Sequence, residues 1–202
     1  TENKRYQEKL HHMIEEKDVL FRELHHRVKN NMQIISSMLQ LQEEYITDEV
    51  ILSALHDCEQ RIDSMALVHE TLYRTESLAG IPFGQYLEDL AQAVTEGFAT
   101  VRDIRTDIDV GSIMLNLDTA VTIGLIVNEL MVNSMKYAFV DRPSGLITIR
   151  LTCEDEGCTM RYSDDGVGLP PGFEIEKISS LGMRLVRILA RQIRGSLCIE
   201  SE

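Results

Sequence analysis

Three polar side chains on one face of a predicted helix, residues 119–139, have the types needed to bind a magnesium phosphate. Glu129, Asn133 and Lys136 stand at i, i+4 and i+7, which stacks them on one side of a helix. A carboxamide oxygen is a suitable ligand for magnesium, and an ammonium group can meet phosphate oxygens. The alternative is an ordinary solvated face. The opposite face carries Ile123, Val127, Leu130 and Ser134.

A second candidate group follows a predicted strand at Ser163-Asp164-Asp165-Gly166-Val167-Gly168-Leu169-Pro170. Two glycines around one residue allow the backbone to approach a ligand closely. A carboxylate at the strand end, Asp164, can accept a hydrogen bond from an exocyclic amine. Without other support, the same residues are equally explained as an acidic turn.

A third group is the predicted helix start at Ser179-Ser180-Leu181-Gly182-Met183. Free N–H groups and the helix dipole favour an anion at such a position. The helix then carries a basic stripe, which is either a solvated face or, at Arg184, a contact to phosphate. The stripe consists of Arg184, Arg187, Arg191 and Arg194.

The first half of the chain holds a histidine that packing does not require. The apolar stripe of one long helical pattern includes Leu24 and Val28, and His26 lies about 200° from both, pointing away from the stripe. His25 lies nearer the flank of the stripe. The outward imidazole is either an ordinary solvated surface side chain or a functional group that must be accessible to a partner.

The elements that must position these groups fall into two predicted domains, 1–79 and 80–202. The first is a hairpin of two amphipathic helices, one running to about residue 46 and one to about residue 74, with turn and cap chemistry at Thr47-Asp48. One hairpin buries its stripe poorly, so we expect a homodimer that forms a four-helix bundle. The first helix begins in mid-pattern, which indicates a module upstream.

Gly80-Ile81-Pro82 ends the helical pattern and marks the start of the second domain. We predict an α/β sandwich, which makes the whole chain α+β. Asp118-Thr119 is the predicted cap of the helix 119–139. The other predicted elements are helices 83–98 and 181–193, a strand at 104–110, a hairpin of strands 147–153 and 158–162, and a last strand at 196–201.

Composition narrows the class of protein. The net charge is −13 with no long basic cluster, so we expect no nucleic-acid partner. Neither a signal peptide nor a membrane span is apparent, so we expect a cytoplasmic protein without membrane contact. Cys58, Cys153, Cys158 and Cys198 lack metal-ligand spacing and are predicted to be reduced thiols. Cys153 and Cys158 flank an acidic turn and are placed to face each other across the hairpin, which leaves an adventitious disulfide open but indicates no functional one.

The order of the motifs resembles a sensor histidine kinase core. Residues 127–139 resemble the N box of the Bergerat-type ATP-binding domain, residues 164–168 its G1 box, and residues 180–183 a reduced G2 box. His26-Arg27-Val28-Lys29-Asn30-Asn31 and the segment 61–73 resemble the second phosphoacceptor family, related to the HWE kinases. The resemblance spans nearly the whole chain.

This resemblance implies ATP and Mg²⁺ as cofactors and a response regulator receiver domain as partner. His26 is the implied phosphoacceptor, Asn133 the magnesium ligand and Asp164 the residue that meets adenine. Glu129 holds the acidic N-box position, which orients water in related ATPases. Lys136, Gly166, Gly168, Leu181, Gly182, Met183 and Arg184 complete the implied ATP site. An upstream sensor module is also implied.

Two further roles concern the neighbours of His26. Arg27 stands where the larger kinase family has a carboxylate, so Glu23, at i−3, becomes a candidate acid–base partner. Asn30, one turn after His26, has the spacing of the residue that orients water for phosphoaspartate hydrolysis in the larger family. The alternative for Asn30 is a solvating residue or a contact to the ATP domain.

Two other functions remain open from the sequence. Ser180, which replaces a G2 glycine, is compatible with a nucleotide-binding scaffold that lacks kinase turnover. The second open function is an ATPase that acts as a conformational clamp, in which Glu129 activates water. This function leaves His26 unexplained.

Overall fold

The computed structural model describes residues 2–74, 80–98, 103–140, 142–154, 157–169 and 181–200. Its internal contacts divide the chain into two compact units, Thr1–Tyr73 and Arg74–Glu202. We predicted the domain boundary between residues 79 and 80. Residues 75–79, which directly precede it, lie outside the described ranges.

The first unit is the predicted helical hairpin. Helix α1 spans Glu2–Glu43 and α2 spans Glu49–Arg74. Asp48 caps α2, because its Oδ1 accepts hydrogen bonds from the backbone N–H groups of Val50 and Ile51 at 2.9 and 3.3 Å. This confirms the predicted cap.

Polar pairs between the two helices show their direction. The Lys29 Nζ lies 2.7 Å from Glu70 Oε2, and the Ser36 hydroxyl donates to Asp63 Oδ1 at 3.0 Å. Farther along, the Gln40 amide donates to Glu59. The residue numbers of the partners on α2 decrease as the residue numbers on α1 increase, so the two helices are antiparallel.

The second unit combines helices with two sheets. Its helices are α3 (Phe83–Phe98), α4 (Leu117–Asn133) and α5 (Leu181–Gln192). Strands β1 (Ile81–Pro82) and β3 (Met114–Leu115) pair antiparallel in a small sheet that the sequence pattern did not predict. The larger sheet contains β2 (Asp103–Asp109), β4 (Ser144–Glu154) and β5 (Gly157–Asp164).

In the larger sheet β4 lies in the centre, parallel to β2 and antiparallel to β5. A parallel pair needs a crossover connection, and α4 lies within the one that joins β2 to β4. Alternate residues of β4 are buried, with Ile147 and Ile149 fully inaccessible. The predicted combination of helices and strands in an α/β domain is therefore confirmed.

The helices pack closely against one another. A Cβ atom at Gly124 would lie 1.8 Å from the hydroxyl oxygen of the buried Tyr86, so the approach of α3 to α4 requires glycine there. Ile126 of α4 packs with Val186 and Leu189 of α5. This packing holds α5 beside the helix that carries the N-box residues.

Helix α4 differs from its prediction at both ends. Its N-cap is Asn116, whose Oδ1 accepts from the Thr119 N–H at 2.9 Å, whereas Asp118 lies in the first turn. The regular helix ends at Asn133 and continues as a π-helical turn, Ser134–Ala138. The Phe139 N–H donates to the Ser134 carbonyl oxygen at 3.2 Å, five residues back, which widens the final turn.

Two other predictions were wrong. Residues 196–200 form no strand in the described part of the chain. Cys153 and Cys158, predicted to be reduced, form a disulfide, because they are direct partners across the β4–β5 hairpin with Cα atoms 4.0 Å apart. Cys58 and Cys198 are free thiols, as predicted. Among the described helices, none has the length and apolar character required to cross a bilayer.

Candidate active site

The end of α4 is where the separated motifs of the second unit meet. The Ser134 hydroxyl donates to Asp164 Oδ2 at 2.7 Å, which ties the N-box helix to the end of β5. The Val167 N–H donates to the Ala138 carbonyl oxygen at 3.0 Å. The Asn133 amide donates to the Met183 sulfur at 3.7 Å, which adds the start of α5.

Asp164 is held by a short chain of hydrogen bonds. Its Oδ1 accepts from the Gly166 N–H at 3.0 Å, and its Oδ2 accepts from Ser134. Since Ser134 donates to the carboxylate, its oxygen is available to accept from the Tyr162 hydroxyl, 2.8 Å away. Burial raises the pKa of Tyr162, which keeps this phenol neutral. Asp164 retains further lone pairs and can accept from an amine.

The neighbouring Asp165 has a different, structural position. Its Oδ1 accepts from the Leu146 N–H at 2.7 Å, and its Oδ2 lies 3.6 Å from Arg142 Nη2. The Arg142 guanidinium also donates to the Asp165 carbonyl oxygen. These bonds attach the glycine loop to the start of β4, and they leave Asp164 as the carboxylate able to meet a ligand.

The two glycines of the loop are required for different reasons. A Cβ at Gly166 would lie 2.5 Å from both the Ala138 carbonyl oxygen and the Ala138 Cβ, so only glycine allows this approach. Gly168 has φ +74°, a left-handed conformation that favours glycine. Close packing at Gly166 therefore fixes the start of the loop against Ala138, while Val167, Gly168 and Leu169 are exposed.

The column of N-box residues is not a solvated face. Glu129 is buried at 5 % exposure, and Asn133 and Lys136 are partly buried. Lys136 lies in the π-helical turn, so the regular spacing that stacked it above Glu129 does not extend to it. The amide nitrogen of Asn133 is engaged with Met183, and its carbonyl oxygen is the atom suited to magnesium.

The remaining predicted contacts of the ATP site begin α5. Gly182 is buried, Met183 is partly buried, and Leu181 and Arg184 are exposed. Residues 170–180, including Ser179 and Ser180 of the third motif, lie outside the described residues.

Sequence reasoning missed Ser134 and Tyr162. It assigned Ser134 to the face opposite Asn133, on the assumption of a regular helix. The available signal was the alternation of β5, which places Tyr162 and Asp164 on the same side of the strand.

In the helical unit, the side chains of His26 and Asn30 are exposed, in agreement with their outward orientation. Glu23 Oε1 accepts from Arg27 Nε at 2.9 Å, so the proposed acid–base carboxylate is engaged by the residue that follows His26. The side chain of His25 lies outside the described residues.

We expect Ser134→Ala to weaken ATP binding, because it removes the donor that orients Asp164. Hydrogen bonds to charged groups contribute about 1.5–3 kcal/mol, and we expect the Kd for an ATP analogue to rise about tenfold. Calorimetric titration measures this. The control is Ser163→Ala, which removes an exposed hydroxyl next to Asp164 on β5. Equal Kd values for the two variants would contradict the role of Ser134.

Comparison with known proteins places the chain in a family. Residues 23–98 match the family model described as histidine kinase, and residues 90–196 match the histidine kinase-like ATPase domain. The sensor histidine kinase PdtaS of Mycobacterium tuberculosis is 33 % identical over 184 residues, which are 90 % of this chain and 36 % of that protein. The blue-light-activated histidine kinase 2 of Erythrobacter litoralis is 29 % identical over 186 residues, covering 87 % and 51 %.

A solved structure has the same fold. The histidine kinase domain of the Erythrobacter litoralis EL346 blue-light activated histidine kinase aligns with a TM-score of 0.60 at 22 % identity, covering 84 % of this chain and 89 % of that one. The chain spans between about a third and a half of the length of the curated relatives named above. These matches confirm the resemblance drawn from the motifs. The chain belongs to the histidine kinase family and contains the helical region and the ATPase-like domain of a histidine kinase core, in that order.

Proposed function

We propose that the chain is the core of a two-component kinase, which phosphorylates His26 with ATP and passes the phosphoryl group to an aspartate of a response regulator. The observation that supports this most is the meeting of Asn133, the Ser134–Asp164 pair and Met183 at the end of α4. Membership of the histidine kinase family implies ATP binding.

Each residue of the site has a proposed task. Asp164 accepts a hydrogen bond from the adenine amine, and the backbone at Gly166, Gly168 and Gly182 allows close approach of the nucleotide. Lys136 neutralises phosphate charge. Leu181, Met183 and Arg184 complete the contacts at the start of α5.

The donor set of the site also fits magnesium. The carbonyl oxygen of Asn133 is a hard ligand, and the carboxylate of Glu129, one turn earlier, can accept hydrogen bonds from water around the ion. Bound magnesium would supply charge neutralisation at the phosphates.

The proposed chemistry at His26 is an in-line displacement. A ring nitrogen of the neutral imidazole attacks the γ-phosphorus, the bond from that phosphorus to the β–γ bridging oxygen breaks, and ADP leaves. The attacking nitrogen is the unprotonated one, and the proton on the other ring nitrogen passes to water as the N–P bond forms, since the His26 side chain is exposed.

Labelling distinguishes this function from the two alternatives. The chain, incubated with γ-labelled ATP and magnesium, should acquire label that is lost in acid and kept in base, as phosphohistidine is. A nucleotide-binding scaffold would acquire no label. An ATPase clamp would release phosphate steadily without a labelled protein.

We also propose that the helical unit forms a homodimer. Several apolar side chains of the hairpin are exposed in the single chain, and a second copy that forms a four-helix bundle would bury them. The residues are Ile34, Ile35, Met38, Leu41 and Ile51.

Light scattering tests this proposal. The chain should have the mass of a dimer, and Ile35→Glu with Met38→Glu should convert it to a monomer, since charges would be buried in the bundle. Met114→Glu, at an exposed methionine of the other unit, should remain dimeric. A monomeric unmodified chain would contradict the proposal.

For Asn30 we propose a role in removing phosphate from the regulator. Its exposed side chain lies one helical turn from the exposed His26, so it can hold a water near the docked phosphoaspartate. Asn30→Ala should slow dephosphorylation of the phosphorylated regulator while labelling of His26 persists. Loss of labelling with dephosphorylation unchanged would instead place Asn30 in the kinase reaction.

A further inference from the structure

A cluster of three potential metal ligands lies at the loop end of the hairpin, away from His26 along α1. Glu43 is the last residue of α1, and His56 and Glu59 lie three residues apart on α2. One ligand atom from each of the three lies within 4.8 Å of the other two. The antiparallel hairpin brings them together, since only a short connection separates the two helices.

Burial makes this cluster unlike an ordinary surface group of acids. Glu59 is 7 % exposed, and the Oε1 atom of Glu43 is inaccessible to water and has no hydrogen-bond partner. Glu59 Oε1 accepts from the Gln40 amide, and Glu59 Oε2 lies 3.7 Å from the Nδ1 of His56. Two carboxylates that have lost much of their hydration repel each other unless a cation is shared between them.

Gln60 is placed to select the form of His56 that binds metal. Its Nε2 lies 2.9 Å from His56 Nε2, and its Oε1 is buried without a hydrogen-bond partner. A half-turn of this carboxamide would put Oε1 against His56 Nε2, where it can accept the Nε2–H hydrogen bond. That tautomer leaves the lone pair of Nδ1 directed at a ligand.

We propose that Glu43, His56 and Glu59 bind a divalent transition-metal ion, with zinc as the best-matched ion. One imidazole nitrogen and two carboxylate oxygens form a donor set typical of zinc, whereas magnesium and calcium favour oxygen ligands alone. The His56 side chain is 60 % exposed, which leaves room for water at a fourth position. The ion would join the end of α1 to α2.

Zinc titration of the whole 202-residue chain, freed of metal with a chelator, tests the proposal. Calorimetry in a non-coordinating buffer should show one zinc ion per chain, and zinc should raise the melting temperature. Glu43→Gln and His56→Ala should each weaken binding by more than about tenfold, since even loss of an outer-shell partner costs about 10–100-fold. Gln60→Ala should weaken it less than either.

The matched control is His12→Ala. His12 Nδ1 lies 3.5 Å from Glu16 Oε1, and both side chains are exposed on α1. This variant therefore removes an imidazole beside a carboxylate without changing the proposed site. It should bind zinc as the unmodified chain does. Binding that is unaffected by both Glu43→Gln and His56→Ala would overturn the site, as would the absence of one-to-one binding. In that case the approach of His56 to Glu59 is an ordinary side-chain contact within α2.

Discussion

Replacement of His26 by glutamine is expected to abolish incorporation of phosphate from ATP, while affinity for ATP remains within about twofold of the unmodified chain. Glutamine has a polar side chain but no nucleophilic imidazole nitrogen. The residues proposed to bind ATP belong to the other compact unit, so their contacts are not altered. Labelling with γ-labelled ATP and calorimetric titration with an ATP analogue measure the two quantities.

The adjacent histidine supplies the control for this prediction. His25→Gln should retain labelling, because helical spacing turns His25 about 100° from His26 and towards the apolar stripe. A labelled His26→Gln variant together with an inactive His25→Gln variant would show that the phosphoacceptor has been assigned to the wrong histidine.

Asn133 and Asp164 are expected to give separable defects. Asn133→Ala should sharply lower the labelling rate and raise the magnesium concentration needed, because the carboxamide oxygen is lost. Asp164→Asn should raise the Kd for ATP by roughly tenfold or more. In that variant an NH₂ group replaces one of the two oxygens that accept from Ser134 and Gly166, so the chain of hydrogen bonds must reverse or break.

Separate titrations with ATP and with magnesium distinguish the two defects. The expected pattern is a magnesium shift in Asn133→Ala and an ATP shift in Asp164→Asn. Equal shifts of both variants in both titrations would contradict the assignment of one residue to the metal and the other to adenine. Ser163→Ala again controls for a change on β5.

Regular elements of this chain are predictable because their apolar periodicity is strong. Helix α3 has the bounds that its sequence pattern indicated, and the β4–β5 hairpin follows from alternation on both sides of an acidic turn. The cap of α4 was placed at Asp118 instead of Asn116, because both side chains can cap a helix and Leu117 between them gives no preference.

The interior of the site was less predictable, because tertiary contacts determine it. A regular helix puts Ser134 away from the ligand face, but α4 ends in a π-helical turn and β5 brings Asp164 within 2.7 Å of the Ser134 hydroxyl. The wrong prediction for Cys153 and Cys158 concerns their oxidation state. Their spacing indicates that they face each other across the hairpin, and the register of β4 and β5 makes them direct partners. The expectation of reduced thiols rested instead on the expected cytoplasmic location.

The most direct test of the kinase assignment is to locate the transferred phosphate by mass spectrometry under non-acidic conditions. After incubation with ATP and magnesium, we expect one phosphoryl group on the imidazole of His26, and none when ATP is replaced by an analogue that cannot transfer its γ-phosphate. A phosphoryl group on another residue, or steady ATP hydrolysis with His26 unmodified, would contradict it.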